Sequence, residues 1–404
     1  MLKGENIICI SWIKWDYLPV IMHHMMKRLS ENNRILYVDP SVALTTSLFH
    51  PRSLGSLLER MWFWFKGVER VTKNIHVYYP PPVFLQYGHL AISDRLNQFY
   101  LGHLIARIAK KLNFCSPILW LYDPYAVKPE GQFSEKLICY DCNDDISSFA
   151  NLKHKKQNLF VSGDELVKKA HVIFTTSRNL YHAKKEKNPN TYYFPSGVDF
   201  EHFHQALDHS CRIPDDVRNL AKPIVGFVGS ITNYRINWEW IKCMSISRPE
   251  WSIVFIGPCF EPPPHEISKQ KNIHFLGQKG IEQLPGYLKA FDVCIIPYQG
   301  ETFLKSCQPT KTFEYLAAGK PVVASDIPEL KEYQPMVKLC KSTEEFISKV
   351  AECLAEGIDH TFVEKRIEIP KAYTWEARVE GTSLLIQQAL ENKQKQMQRR
   401  CPPA

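Results

Sequence analysis

Residues 223–237 read PIVGFVGSITNYRIN, and this stretch decides the fold. PIVGFV is an uninterrupted apolar run rich in β-branched and aromatic side chains, as a strand buried on both faces requires. Gly229 then permits a tight turn, and NWEWIKCMSISR (237–248) continues with helical spacing. Strand, glycine turn and helix open a βαβ unit. The pattern recurs downstream in SIVFIGP (252–258), NIHFLG (272–277), VCIIPY (293–298) and PVVAS (321–325), with helix-length segments between them.

Upstream the same alternation runs through NIICIS (6–11), RILYVD (34–39), PILWLYD (117–123), KLICYD (136–141) and HVIFTTS (171–177). The chain therefore reads as α/β, with two doubly wound, Rossmann-like domains in tandem. The expected boundaries are 1–195 for the N-terminal domain and 196–372 for the C-terminal one. A helix over 373–404 is expected to return to the first domain and end in a tail. YYFPSG (192–197) and the polar, helix-breaking DHSCRIPDD (208–216) mark the passage between domains. Open sheets of this kind bind ligands beyond the carboxyl ends of their strands, so an interdomain ligand cleft is expected.

A chain of 404 residues suits two domains of about 100–200 residues each. With 45% hydrophobic and 23% charged residues, disordered, collagen-like and coiled-coil classes are excluded. The formal charge of +8 allows an anionic substrate or an anionic membrane surface. No basic run interleaved with aromatics points to nucleic acid. Cys139 and Cys142 form a lone C-x-x-C among twelve cysteines, with no second pair to complete a zinc site. Buried free thiols in a reducing compartment are expected. MLKGENIICISW carries no secretory signal pattern, and no run reaches the ~18–20 apolar residues of a membrane-spanning helix. The expected location is cytoplasmic, with peripheral attachment to the inner face of the cell membrane as an option.

Two stretches carry candidate anion chemistry. At 223–237, Gly229 lets a ligand approach the backbone, and the following helix start favours phosphate. The spacing is neither the G-x-G-x-x-G of dinucleotide dehydrogenases nor a P-loop. Arg235 reads equally as a phosphate contact or a solvated charge. At 307–330, CQPTKTFEYLAAGKPVVASDIPEL, a helix starts near Pro309. Thr310, Lys311 and Thr312 fall in its first turn, where amides, hydroxyls and an ammonium make a diphosphate cradle. Glu314 follows on the same helix and is suited to ribose hydroxyls. A capped helix with surface charges is the plainer alternative.

P-T-K-x-x-E-Y-x-A-x-G-K-P-V-V (309–323) resembles the donor-nucleotide signature of GT-B glycosyltransferases of the family 4/family 1 type. FPSGVDFEHF (194–203) is similar to their N-G-V-D segment, with Ser196 in place of Asn. NIHFLGQKGIEQLPGYLKAFDVCIIPY (272–298) and YTWEARVE (373–380) resemble two further blocks, so the likeness covers most of 190–385 in order. It implies that Glu314 holds the donor ribose and that Thr310, Lys311 and Thr312 face the diphosphate. Gly277 and Gln278 would lie against the base, and Gly229 against the diphosphate and sugar. Many retaining members carry Glu eight positions before the ribose Glu, where this chain has Ser306. The stereochemical class is therefore left open.

ICYDCNDDISSF (138–149) resembles the YDC-x-DD of a bacterial polysaccharide-assembly subgroup and brings Asp141, Asp144 and Asp145 together. A strand is expected to end at Tyr140 or Asp141. A carboxylate there would face the cleft, and Asp144 is the candidate base for an acceptor hydroxyl. Helix capping by Asp144 or Asp145 is the alternative. No metal site is expected. Trp62, Phe63, Trp64 and Phe65, beside Arg60, Lys66 and Arg70, suit a helix at the headgroup level of a membrane, or one docked on the core. His23 and His24 follow the first strand; a His there could contact the acceptor or donor sugar, and a satisfied helix residue is the favoured alternative.

These readings converge on a glycosyltransferase using a nucleotide-diphosphate sugar, expected to be a UDP-sugar, and no metal cofactor. The acceptor would be a hydroxyl of a glycan or a lipid-linked molecule in cell-surface polysaccharide synthesis. An epimerase of the same fold and a non-catalytic sugar-nucleotide-binding subunit are the alternatives.

Overall fold

The apolar runs form strands of two sheets in a computed structural model that describes residues 1–41, 62–83, 91–125, 131–144, 156–357 and 360–400. The first sheet contains β1 (Asn6–Ile10), β2 (Arg34–Val38), β3 (Val68–Arg70), β4 (Ile75–Tyr78), β5 (Ile118–Leu121), β6 (Leu137–Cys142), β7 (Val172–Thr175) and β8 (Thr191–Tyr193). Its order is β3-β4-β2-β1-β5-β6-β7-β8. The second contains β9 (Ile224–Val228), β10 (Ser252–Ile256), β11 (Ile273–Phe275), β12 (Val293–Ile296), β13 (Val322–Ser325) and β14 (Val337–Cys340). Its order is β11-β10-β9-β12-β13-β14.

Every pairing is parallel except β3 with β4. Parallel strands need crossover connections, which cover both sheet faces, so the central strands are buried along their length. β9 is buried at every position. The order reverses at β1, which pairs with β2 and β5, and at β9, which pairs with β10 and β12. Such switch points leave a crevice between connections that run to opposite sides.

The chain divides into two units, Met1–Phe194 with Arg378–Ala404, and Pro195–Ala377. In the first unit Ile8, Leu36, Leu119 and Ile173 are central to an apolar core. In the second, Phe227, Phe255, Ile295, Phe313 and Val323 have the same role. The helix Trp375–Arg400 contributes its residues from Arg378 onward to the first unit.

Apart from β8, which overlaps YYFPSG, three strands lie outside the apolar runs singled out above. β3 reads VER and is half-exposed. β4 and β14, IHVY and VKLC, each carry a polar residue at an interior position. β14 is an edge strand, and its Lys338 reaches outward to Glu356 at 2.5 Å. Edge strands need bury less, so their sequences are less apolar.

β6 runs past the expected end at Tyr140 or Asp141, to Cys142, and this corrects the reading of Asp141. Asp141 lies within the strand and is completely buried. The Arg378 guanidinium donates to its Oδ1 at 2.9 Å and also donates to the Phe194 carbonyl. Burial pushes the Asp141 carboxyl up, against the pull of Arg378. Asp141 is therefore a structural group, with no access for an acceptor. Cys139 and Cys142, on either side, are buried and form no disulfide.

Candidate functional site: a glycine floor, two cations and a half-buried glutamate

The second unit gathers most of the singled-out residues at its switch point. β9 ends in Gly229, with φ +146, whose N–H donates to the Ile256 carbonyl at 2.8 Å. β10 ends in Gly257, with φ +139, whose N–H donates to the Gly277 carbonyl at 2.9 Å. A Cβ on Gly257 would sit 2.0 Å from the Gly229 carbonyl oxygen, and one on Gly229 would sit 2.9 Å from Lys311 Cε. Only glycine tolerates both the backbone angle and the approach. The ends of three adjacent strands thus form a floor without side chains. Gly277 has open space about it, and Gln278 beside it is exposed.

Lys311 lies over this floor. Its ammonium donates to the Tyr298 hydroxyl at 2.5 Å and sits 5.1 Å from the Phe227 ring centroid. Arg235 reaches the same neighbourhood from the loop after β9, with its guanidinium 5.1 Å from the Phe303 ring. Phe303 packs against Tyr298 with centroids 5.6 Å apart, so an aromatic pair stands between the two cations. Aromatic faces attract cations and hold them in place without neutralising their charge. The arrangement can stabilise an anion that gains charge as it departs.

The helix Lys311–Ala317 has seven residues. Its first turn is less open than the sequence implies. The amides of Thr312, Phe313 and Glu314 are committed to the carbonyls of Pro309 and Thr310. Thr312 is fully buried and its hydroxyl has no hydrogen-bond partner, so that side chain lies behind the surface. Thr310 and Lys311 are half-buried at the helix start.

Glu314 is half-buried on the same helix. Its carboxyl is pushed up to about 7, first by burial, with Asp199 adding to the rise and Lys311 opposing it. Asp199 arrives through the segment FPSGVDF, where the Ser196 N–H donates to Gln308 Oε1 at 3.2 Å. The next helix, Phe200–His204, packs on Lys311–Ala317 through a His204–Ala317 carbonyl contact of 3.3 Å. Asp199, Gly257 and Tyr298 belong to this neighbourhood and were not singled out from sequence. Gly257 and Tyr298 were nonetheless signalled by the strand-end motifs SIVFIGP and VCIIPY.

The other candidates lie in the first unit. Asp144 is half-buried two residues past β6, and Asp145 lies outside the described residues. Trp62, Trp64 and Phe65 are exposed to 58%, 39% and 77%, on a helical turn over 62–66. That exposure removes the core-docked reading for these three. Phe63 alone leans inward, 4.9 Å from the Tyr79 ring. Lys66 lies 4.3 Å over the Trp62 ring, Arg70 bonds to its own turn, and Arg60 falls outside the described residues. His23 is buried. Its Nδ1 accepts from the Val20 N–H at 3.1 Å, and Nε2 lies 2.9 Å from the Lys14 carbonyl. Burial lowers it to about 4, so it is a neutral structural group. Among the described residues, no group of three or more His, Cys, Asp or Glu could hold a metal ion, and no helix is long and apolar enough to cross a membrane.

Residues 222–356 match the family of group 1 glycosyl transferases. TuaH of Bacillus subtilis (strain 168), named as a teichuronic acid biosynthesis glycosyltransferase, is 26% identical over 278 residues, covering 64% of this chain and 68% of TuaH. Sucrose-phosphate synthase from Thermosynechococcus elongatus superposes with a TM-score of 0.69 at 15% identity, covering 96% of this chain and 100% of that one. Anabaena HepE in complex with UDP and glucose gives 0.63 at 14%, covering 96% and 100%. The UDP-forming trehalose-phosphate synthase from Burkholderia vietnamiensis gives 0.65 at 12%, covering 94% and 96%. At these identities the superpositions establish the fold. Together with the family match and the motifs along 190–385, they make this chain a GT-B glycosyltransferase.

Proposed function

We propose that the protein transfers a sugar from a UDP-sugar to a hydroxyl of a glycan or lipid-linked acceptor in cell-surface polysaccharide synthesis. The observation that carries this reading is the Lys311 ammonium held over the glycine floor, with Glu314 on the same helix. The diphosphate would lie on the floor, where Lys311 and Arg235 meet its charge. Glu314 would accept from the ribose hydroxyls, and Gly277 and Gln278 would flank the base. The naming of TuaH for teichuronic acid synthesis supports the polysaccharide acceptor, and the UDP bound by HepE supports the base.

In the reaction the bond from the anomeric carbon to the diphosphate oxygen breaks, and its electron pair leaves with UDP. The acceptor oxygen forms the new bond and gives its proton to a base, for which Asp144 is the candidate. Charge grows on the departing diphosphate, so the two cations contribute more in the transition state than in the ground state. They take the part that a divalent metal has in other transferases. The enzyme would work at the inner face of the cell membrane, with Trp62, Trp64 and Phe65 in the headgroup region. The exposed Ile92, Leu96, Phe99 and Tyr100 of the helix Ala91–Lys111 would add apolar area.

The test is a thermal-shift screen of nucleoside diphosphates and their sugars, followed by turnover of the best donor with and without EDTA. Stabilisation by UDP and its sugars, and turnover that survives chelation, are expected. Binding of no nucleotide, or turnover that requires Mg²⁺ or Mn²⁺, would overturn the donor-site reading or the metal-free one respectively.

A further inference from the structure

The flank of the first unit carries a polar groove built from residues that the donor site does not use. Edge strand β8, the helix Arg178–Lys185 and the C-terminal helix enclose two adjoining cavities of about 510 and 490 Å³. They share Tyr192 and Leu385, so they lie side by side along one groove-like flank. Among the described residues, its lining contains no aspartate or glutamate.

The chemistry of the lining is mixed in a particular way. Arg178 stacks 4.7 Å from the Tyr193 ring. Lys185 lies 5.6 Å from the Tyr192 ring and 5.8 Å from that of Tyr181. Its ammonium is fixed by the carbonyls of Pro189 and Thr191, which orient the charge without cancelling it. In the second cavity Lys393 is anchored on the Lys136 carbonyl, and Lys395 is exposed. The amide side chains of Asn190, Gln388, Asn392 and Gln396 line the same cavity. His171 Nδ1 accepts from the Ile138 N–H at 3.1 Å, which leaves Nε2–H as its donor in the neutral ring.

Tyrosine rings offer flat apolar faces, amides pair with hydroxyls in both directions, and fixed cations meet carboxylates or phosphates. A polymer that presents sugar faces, hydroxyls and repeated acid groups satisfies all three. A free phosphate would use the cations alone, and a neutral glycan would make no use of the lysine charges. We propose that this groove binds a segment of an acidic glycan chain. It would hold the polymer while the transfer site acts on its end. The proposal rests on the transferase reading for the source of that chain, but its binding chemistry stands apart from the donor site.

The test uses the full-length protein and an oligogalacturonate as probe, with a neutral dextran oligosaccharide, inorganic phosphate and phosphatidylglycerol vesicles as comparisons. Arg178→Glu with Lys395→Glu reverses two exposed charges, and Tyr192→Ala removes the shared wall. Oligogalacturonate is expected to bind more tightly than dextran; the charge reversal should weaken it by about tenfold or more, the loss of a charge-assisted contact, and Tyr192→Ala should weaken it through the lost ring face. Melting temperature and UDP binding should be unchanged. Equal binding of dextran, unchanged affinity in the variants, full competition by phosphate alone, or vesicle binding lost through the same substitutions would each overturn the proposal. Absence of sugar transfer alongside intact oligogalacturonate binding would instead sink the transferase reading and leave the groove standing.

Discussion

Replacing Arg378 with Met removes one half of a buried ion pair and leaves the other in place. The Arg378 and Asp141 side chains are 3% and 0% exposed, and the contact is 2.9 Å. Breaking a pair of this kind costs about 3–5 kcal/mol, because the abandoned charge stays in a medium that solvates it poorly. Arg378 also donates to the Phe194 carbonyl, so its loss leaves that acceptor unpaired as well. Two features limit the cost. Asp141 can take a proton, and its carboxyl is already raised by burial. In the native protein it therefore binds a proton more readily than in the unfolded chain. Stability from this group is greatest below its unfolded pKa and declines as pH rises through the folded value. Without Arg378 the folded value rises further, and the decline extends to higher pH. Urea unfolding of wild type and Arg378→Met at pH 5 and pH 8, with hydrogen exchange of the β6 amides as the local probe, measures this directly. The variant should lose more stability at pH 8 than at pH 5. Asp141→Leu with Arg378→Met should return to within about 1 kcal/mol of wild type or exceed it, because an apolar pair has no desolvation cost. A single-variant loss under about 1 kcal/mol, the range of exposed pairs, or an equal loss at both pH values would refute the reasoning.

The donor-site and acceptor-side predictions separate by readout. Lys311→Ala should lower kcat by about 10²–10³, the scale for removing one donor to a developing oxyanion, and unchanged turnover would remove Lys311 from the chemistry. Glu314→Gln should flatten the pH dependence of UDP binding. The wild-type carboxyl, pushed up to about 7, loses acceptor capacity as pH falls through that value, and calorimetry across pH 6–8 would show no such loss if Glu314 does not touch the ribose. Asp144→Asn should depress transfer while leaving UDP affinity and melting temperature near wild type, whereas a matched loss of stability would favour a capping role. Trp62→Ser with Trp64→Ser should abolish sedimentation with anionic vesicles at little cost in melting temperature, since both rings are exposed; retained sedimentation would end the membrane reading.

How much of this was legible in the chain depends on how local the determining physics is. Strands β1, β2, β5–β7 and β9–β13 could be read from their apolar runs. A parallel strand covered on both faces must be apolar throughout, whatever its neighbours. The Lys311–Glu314 pairing was legible for the same reason, because a three-residue spacing puts both side chains on one side of any helix. The edge strands β3 and β14 were not, since their burial depends on which strand lies beside them. Thr312 has the residue type of a phosphate ligand and sits one residue after Lys311, yet the packing of its helix turns it into the core. Gly257 resembles any strand-ending glycine until the Gly229 carbonyl is found 2.0 Å from where its Cβ would be. Asp141 shows the limit most clearly. In sequence it is one of three neighbouring carboxylates, whereas its partner Arg378 lies 237 residues away. Periodicity and composition act over a few residues and determined the alternation of elements and the donor motif. The burial of a charge depends on which distant side chain arrives to meet it, and only the tertiary structure decides that.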